Sequence, residues 1–242
     1  MKKKWSLHLS VLAKFLIVFT FSNANASVID YDARWPDGKI TVCFASPKMR
    51  DRSDLRQQAG IYTPTLVEWS EIEKLEIQSW IDDAFRSESM SLVISGWSDC
   101  NGNESPATVY IFRFDKMPFE EGFVEGFGRI GKRVGPARND FGEATYQALA
   151  LASLSGTAHK GNVLHEFGHL CGLRHEHIRS EARQDPKCDQ ETIDRASRES
   201  QVLLMIGDYD SDSIMSYCYL RTTSDPKLSE GDYRALRFLY PK

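Results

Sequence analysis

The chain has 242 residues, of which 41% are hydrophobic and 26% are charged, and its formal net charge is −4. This composition is that of an ordinary globular protein. Because the chain is mildly acidic and has no basic cluster, we expect little attraction for nucleic acid or for anionic membranes.

The first 26 residues have the pattern of a secretory signal peptide. Three lysines follow the initiating methionine, residues 11–21 are mostly apolar, and an Ala-Asn-Ala sequence at 24–26 fits a cleavage site. The apolar stretch is short for a bilayer span, so we expect no stable membrane insertion after cleavage. This segment carries four lysines and no acidic residue, so its removal leaves 216 residues, starting at Ser27, with a net charge of −8. The predicted location is secreted or periplasmic.

Five cysteines lie in the predicted exported part: Cys43, Cys100, Cys171, Cys188 and Cys218. An odd number leaves at least one thiol free or paired with another chain. Sequence alone does not fix the pairing, but chain position favours Cys43 with Cys100. In the second half it favours Cys188 with Cys218, which would leave Cys171 as a buried free thiol.

The first half of the chain predicts several strands and one long helix. Residues 39–44 follow a Trp-Pro-Asp-Gly turn and read as a strand, and residues 46–64 read as a loop. Further strands are predicted at 91–95 and 108–114. Helical spacing over 68–86 predicts an amphipathic helix that lies across the sheet. Its apolar positions are Ile72, Leu75, Trp80, Ile81, Ala84 and Phe85.

The second half gives weaker signals except at its end. Short strands are possible at 129–134 and 145–150, although the latter could be helical, and residues 190–205 could contain a helix. Ser229 followed by Asp232 is a capping-box-like start for a closing helix.

A histidine-rich sequence, HEFGHLCGLRHE, begins at His165. His165 and His169 are four residues apart and therefore share one face of a helix, with Glu166 beside them. Gly172 can adopt a positive φ and end the helix, so that His175 can turn back as a third ligand. Three protein nitrogens with one open position are typical of a catalytic zinc site.

These residues fit the hydrolysis of a peptide bond. A zinc ion held by the three histidines would polarise the carbonyl and lower the pKa of a bound water to about 7. Glu166 would accept the proton of that water and deliver it to the leaving amine. The alternative, a chance HExxH match, is weakened because the match extends to Glu176. His159 and His177 are better interpreted as surface residues or neighbours of the ligands than as further ligands.

A second sequence, Ser-Ile-Met-Ser-Tyr, follows at residues 213–217. Alone it is weak, because a methionine in an apolar stretch is usually part of a core. Together with HExxHxxGxxH it has the form of the methionine turn of metzincin metalloproteases. Within that clan the chain resembles the astacin family, because Glu176 follows the third histidine and Tyr217 lies two residues after Met215. Serralysins, matrixins and adamalysins usually have other residues after the third histidine.

The resemblance implies a secreted zinc endopeptidase with one catalytic zinc ion and protein or peptide substrates. The implied fold is α+β and two-lobed, over residues 27–242. An N-terminal lobe to about residue 172 holds a mixed sheet and the active-site helix, and a smaller, irregular C-terminal lobe ends in a helix. Met215 would form an apolar floor under the zinc, and Tyr217 would stabilise the oxyanion. The alternative for Tyr217 is an ordinary core aromatic.

Two alternative functions stay open at this point. One is a matrixin-like or glycoprotein-specialised metzincin protease. The other is a secreted binding protein that keeps the fold without catalysis, although the predicted ligands and base are all present. The chain also departs from the family, because only eight residues separate Ala26 from Trp35, too few for a blocking propeptide. We therefore expect signal cleavage to create the mature end, with the amino group of Ser27 buried near Glu176.

Overall fold

A computed structural model describes most of the chain beyond the predicted signal peptide. The described residues are 27–35, 37–47, 67–101, 108–114, 126–128, 137–138, 144–145, 147–152, 156–196, 203–220 and 222–242. The predicted signal peptide, the predicted strand at 129–134 and most of the predicted loop at 46–64 lie outside these ranges. Within the described ranges, no helix is both long and apolar enough to cross a membrane.

The described residues form ten strands and five α-helices, with short 3-10 turns between them. The strands are β1 (Ser27–Ile29), β2 (Lys39–Phe44), β3 (Val93–Asp99), β4 (Val109–Phe114), β5 (Gly126–Gly128), β6 (Ala137–Arg138), β7 (Ala144–Thr145), β8 (Gln147–Ala152), β9 (Leu173–Arg174) and β10 (Leu204–Ile206). The helices are α1 (Glu71–Phe85), α2 (Gly156–Leu170), α3 (Gln190–Ala196), α4 (Tyr217–Leu220) and α5 (Glu230–Leu239).

A mixed sheet of five strands supports the long helices, in the order β3-β2-β4-β8-β5. The first four strands are parallel to their neighbours, and β5 is antiparallel to β8. The central strands β2 and β4 are largely buried, as parallel strands covered on both faces are. The predicted strand at 39–44 has the observed bounds, and residues 147–152 are a strand and not a helix. The prediction of an α+β fold with a mixed sheet is confirmed.

Helix α1 begins at a capping box and packs against α2. The Ser70 hydroxyl accepts the Glu73 N–H while the Glu73 carboxylate accepts the Ser70 N–H, which satisfies two donors of the first turn. The Phe85 and Phe167 rings contact each other, with centroids 5.0 Å apart. The face that carries Ile77, Ile81, Ala84 and Phe85 is buried.

The predicted apolar face of α1 was wrong at its first turns. Ile72 is 71% exposed and Leu75 is 65% exposed. At 100° per residue these two positions are turned well away from Ile77, which is completely buried. The spacing predicted the helix and the buried residues of its last turns correctly, but it placed two exposed residues of the first turns on the same face.

A second, three-stranded sheet has the order β10-β1-β9 and is antiparallel throughout. Its central strand is the first described segment, in which Ser27, Val28 and Ile29 are all completely buried. The earliest residues of the predicted mature chain therefore pair with strands that follow Gly172. The division into two lobes at residue 172 stays a prediction.

The disulfide pairing predicted from chain position is confirmed. Cys43 is bonded to Cys100 and ties the end of β2 to the end of β3, and Cys188 is bonded to Cys218. Cys171 is a free, completely buried thiol, and burial raises its pKa. A thiol kept protonated in this way acts as a small apolar side chain and not as a metal ligand.

Candidate metal centre

After the end of α2, the chain turns back towards the last turns of that helix. Gly172 has a φ of +92°, and its N–H donates to the carbonyl of His169. A β-carbon at this position would lie 3.4 Å from the carbonyl oxygen of Asp30, in a backbone conformation that other residues rarely adopt. The chain then enters β9, which delivers His175. The turn predicted from Gly172 is therefore present.

The three predicted ligands lie together. One nitrogen of each of His165, His169 and His175 lies within 4.8 Å of the others, and the Nε2 atoms of His169 and His175 are 3.1 Å apart. A tetrahedral zinc ion bound at its usual distances holds two nitrogens about 3.3 Å apart. The distance between the Nε2 atoms of His169 and His175 is close to this value, and all three donors lie near enough together to fit one zinc ion.

Backbone carbonyls fix the orientation of two of these rings. His165 Nδ1 lies 2.8 Å from the Ile214 oxygen, and His169 Nδ1 lies 2.9 Å from the Leu173 oxygen. A carbonyl oxygen can only accept, so each Nδ1 carries the proton and each Nε2 presents its lone pair to the metal position. Metal-binding histidines are commonly held by such bonds.

Burial also favours the neutral forms of His169 and His175. It lowers the pKa of His169 well below its ordinary value, and the nearby His175 and His165 lower it further. Burial, His165 and the neighbouring Arg174 likewise lower the pKa of His175. Only a neutral imidazole has a lone pair to offer, so the site is prepared for a cation at neutral pH.

The residues predicted to take part in the reaction border the three histidines. Glu166 is 5% exposed and directly follows His165 in α2. The Tyr217 ring stacks on His165, with centroids 5.0 Å apart, and lies 4.8 Å from the ring of His175. The fold therefore places the Tyr217 ring beside two of the predicted ligands. An ordinary core aromatic would be buried, whereas Tyr217 is only partly buried.

Met215 packs against the helix that carries His165 and His169. It is completely buried, and its carbonyl accepts the Glu176 N–H at 3.1 Å. On α2, Gly168 faces its sulfur so closely that a β-carbon there would lie 2.5 Å from Sδ. The glycine in HEFGH thus permits contact between the metal-binding helix and the methionine.

We expect Gly168→Ala to lower the free energy of unfolding by about 1–3 kcal/mol, because the buried Met215 cannot move aside without strain. Urea unfolding measures this change. Gly161→Ala in the same helix is the matched control, since the atoms nearest to its β-carbon would be Leu220 Cδ2 at 3.1 Å and Pro226 Cβ at 3.3 Å, which need to move by only a few tenths of an ångström. Equal effects of the two substitutions would contradict the proposed contact.

The fold of the chain was compared with solved structures. It is similar to high choriolytic enzyme 1, a hatching enzyme zinc-protease from Oryzias latipes (Medaka fish), at 14% sequence identity and a TM-score of 0.47, covering 86% of this chain and 92% of that chain. It is also similar to myroilysin, at 15% identity and a TM-score of 0.44, covering 87% of this chain and 86% of that chain. No family model and no curated protein matches the sequence. At these identities the likeness concerns the fold alone, so the chemistry is inferred from this chain's own residues.

The two other histidines near the motif are not surface residues. His177 is 2% exposed, and its ring lies 4.7 Å from that of Tyr217 and 4.8 Å from that of His175. Its Nδ1 accepts the Tyr217 N–H at 3.4 Å. His159 is 4% exposed and packs edge-on against Trp80. Neither belongs to the histidine cluster found among the described residues, which agrees with their interpretation as neighbours and not ligands.

Glu176 is held by partners that the sequence did not indicate. It is completely buried, accepts the Asp210 N–H at 2.9 Å and forms an ion pair with Arg179 Nε, also at 2.9 Å. Burial raises the pKa of Glu176 to about 8, against the lowering effect of Arg179. Arg179 lies three residues further along the chain, and this spacing of opposite charges could have indicated the pair.

Proposed function

We propose that this chain is a zinc-dependent endopeptidase. The observation that carries the proposal is the convergence of the imidazoles of His165, His169 and His175 beside the buried Glu166. Two ligands and the base share one helix, and the third ligand follows a turn that Gly172 makes possible. This donor set leaves one position of a tetrahedral ion open, as catalysis requires and a structural zinc site does not.

In the proposed mechanism, each of these side chains has a separate role. His165, His169 and His175 would hold a zinc ion, which would supply a Lewis acid for the peptide carbonyl and for the attacking water. Glu166 takes the proton of the attacking water and delivers it to the leaving amine. Tyr217 donates a hydrogen bond from its hydroxyl to the carbonyl oxygen as that oxygen gains negative charge.

Metal analysis combined with a protease assay tests the proposal. We expect purified protein to contain one zinc ion per chain and to cleave an internal bond of an unstructured protein such as casein. Activity should disappear on treatment with a chelator and return when zinc is added. Protein that cleaves casein equally well after complete removal of the metal would refute the proposed reaction, and a metal-loaded protein that cleaves nothing would favour a binding function.

We further propose that the enzyme acts outside the cytoplasm after cleavage following Ala26. Two disulfides support an oxidising compartment. Ser27 is completely buried at the start of β1, and its hydroxyl donates to Asp232 at 2.8 Å. Glu176 Oε2 is buried and has no hydrogen-bond partner among the described residues. A free amino group at Ser27 would provide a cation for this part of the molecule, where Arg179 is the nearest positive partner of Glu176.

Amino-terminal sequencing of the active, exported protein should therefore begin at Ser27. A variant with two additional residues before Ser27 should unfold at a lower temperature than the authentic protein, because the buried first strand has no room for a displaced end. The matched control is a two-residue extension after Lys242, an exposed terminus that should leave the melting temperature unchanged. Active enzyme that begins several residues after Ser27 would contradict the proposal.

A further inference from the structure

The side-chain carboxylate of Asp232 accepts four hydrogen bonds although the residue is completely buried. One carboxylate oxygen accepts the hydroxyls of Ser27 and Ser213, at 2.8 and 2.7 Å. The other accepts the N–H groups of Ile214 and Ser229, each at 2.9 Å. Capping of α5 requires only the contact with Ser229. The remaining three bonds connect the helix to the first strand and to the segment before Met215.

The Ile214 contact leads directly to a metal ligand. The Ile214 N–H donates to Asp232, while its carbonyl accepts the Nδ1–H of His165 at 2.8 Å. Both groups belong to one buried residue, 49 positions from His165 along the chain. The Ile214 carbonyl shares its planar peptide unit with the Met215 N–H, which donates to the Ser213 hydroxyl at 3.0 Å, and that hydroxyl donates to Asp232 at 2.7 Å. Asp232 therefore holds the peptide units on both sides of Ile214 and limits the directions in which its carbonyl can point.

We propose that Asp232 is a positioning residue for the metal ligand His165, acting through Ile214. This inference rests on the proposed function, because it presumes that His165 binds zinc. An outer partner that orients a ligating histidine contributes to metal affinity, since the ring is held with its lone pair towards the ion before the ion arrives. Without Asp232 the Ile214 segment loses its anchor, and His165 samples orientations in which Nε2 points elsewhere.

Zinc affinity, measured by competition with a chromophoric chelator, tests this role without using activity. We expect Asp232→Ala to weaken zinc binding by about 10–100-fold. Asp232→Asn should bind within about threefold of the wild type, because its amide oxygen can accept from Ile214 while its NH2 group donates to the two serine hydroxyls, which are able to accept. If Asp232→Asn keeps its zinc affinity, Asp232 acts through its hydrogen bonds and not through its negative charge.

Ser229→Ala is the matched control for loss of the helix cap. The Ser229 hydroxyl accepts the Asp232 N–H and caps the same helix, but it makes no contact with Ile214 among the described residues. Its removal should lower stability and leave zinc affinity within about twofold of the wild type. A folded Asp232→Ala protein with wild-type affinity, or an equal loss in Ser229→Ala, would overturn the proposal.

Hydrogen exchange of the wild-type protein gives a second test that does not depend on the folding of a variant. Coupling between sites is reciprocal, so binding of zinc should slow exchange of the Ile214 amide. It should slow this amide more than that of Tyr233, which donates within α5 to the Ser229 carbonyl. Equal changes at the two amides would overturn the role of Asp232 even if the protein binds zinc. A wild-type protein that binds no zinc would instead refute the proposed function.

Discussion

Glu166→Gln is expected to reduce kcat/KM for peptide hydrolysis by about 10²–10⁴-fold while the protein still binds one zinc ion per chain. Glutamine matches glutamate in size but cannot accept a proton from water. Glu166 is 5% exposed and directly follows the predicted metal ligand His165 in α2, so a change of side-chain shape there would disturb the candidate metal site. The isosteric substitution avoids this, and the loss is assigned to proton transfer.

Kinetics with a quenched fluorescent peptide, together with zinc analysis of the same samples, measure the effect. Glu230→Gln is the matched control, because that carboxylate is exposed on α5 and pairs only with Arg237 among the described residues. It should leave kcat/KM unchanged. Peptide hydrolysis by Glu166→Gln at the wild-type rate would rule out Glu166 as the general base, and loss of zinc would assign it a structural role instead.

Tyr217→Phe should lower kcat by about 10²–10³-fold with little change in KM, because removal of one hydrogen-bond donor to a developing oxyanion has an effect of this size. The substitution removes the hydroxyl and keeps the ring that stacks on His165 and lies against His175. The histidines therefore keep their packing, and zinc content should not change. A loss confined to kcat places the missing interaction in the transition state.

The control for this substitution lies two residues further on. The hydroxyl of Tyr219 donates to the carbonyl of Asp225 on the exposed side of the same short helix, so Tyr219→Phe should leave kcat within about twofold of the wild type. Full activity of Tyr217→Phe would show that the ring acts only by packing. An increase in KM at constant kcat would assign the hydroxyl to substrate binding.

Local sequence signals predicted a large part of the fold. The strand at 39–44 has the predicted bounds, and the helix predicted at 68–86 is observed as Glu71–Phe85. The closing helix begins after Ser229, where a capping box was predicted. These signals work because alternation, helical spacing and caps depend on residues two to four positions apart. The same spacing identified Ile81, Ala84 and Phe85 of the buried face of α1 but wrongly included Ile72 and Leu75, because burial depends on what each turn of the helix packs against.

The sequence by itself determined the chemistry of the candidate site. Two histidines four residues apart, a glutamate beside them and a glycine able to turn the chain are all encoded within twelve residues, and the structure brings the three predicted ligands together. Only the tertiary structure decided what holds them. Ser27 reaches Asp232 across 205 positions, and Ile214 reaches His165 across 49. Such contacts depend on burial and on complementary hydrogen bonding between distant segments, and no local pattern in the sequence carries that information.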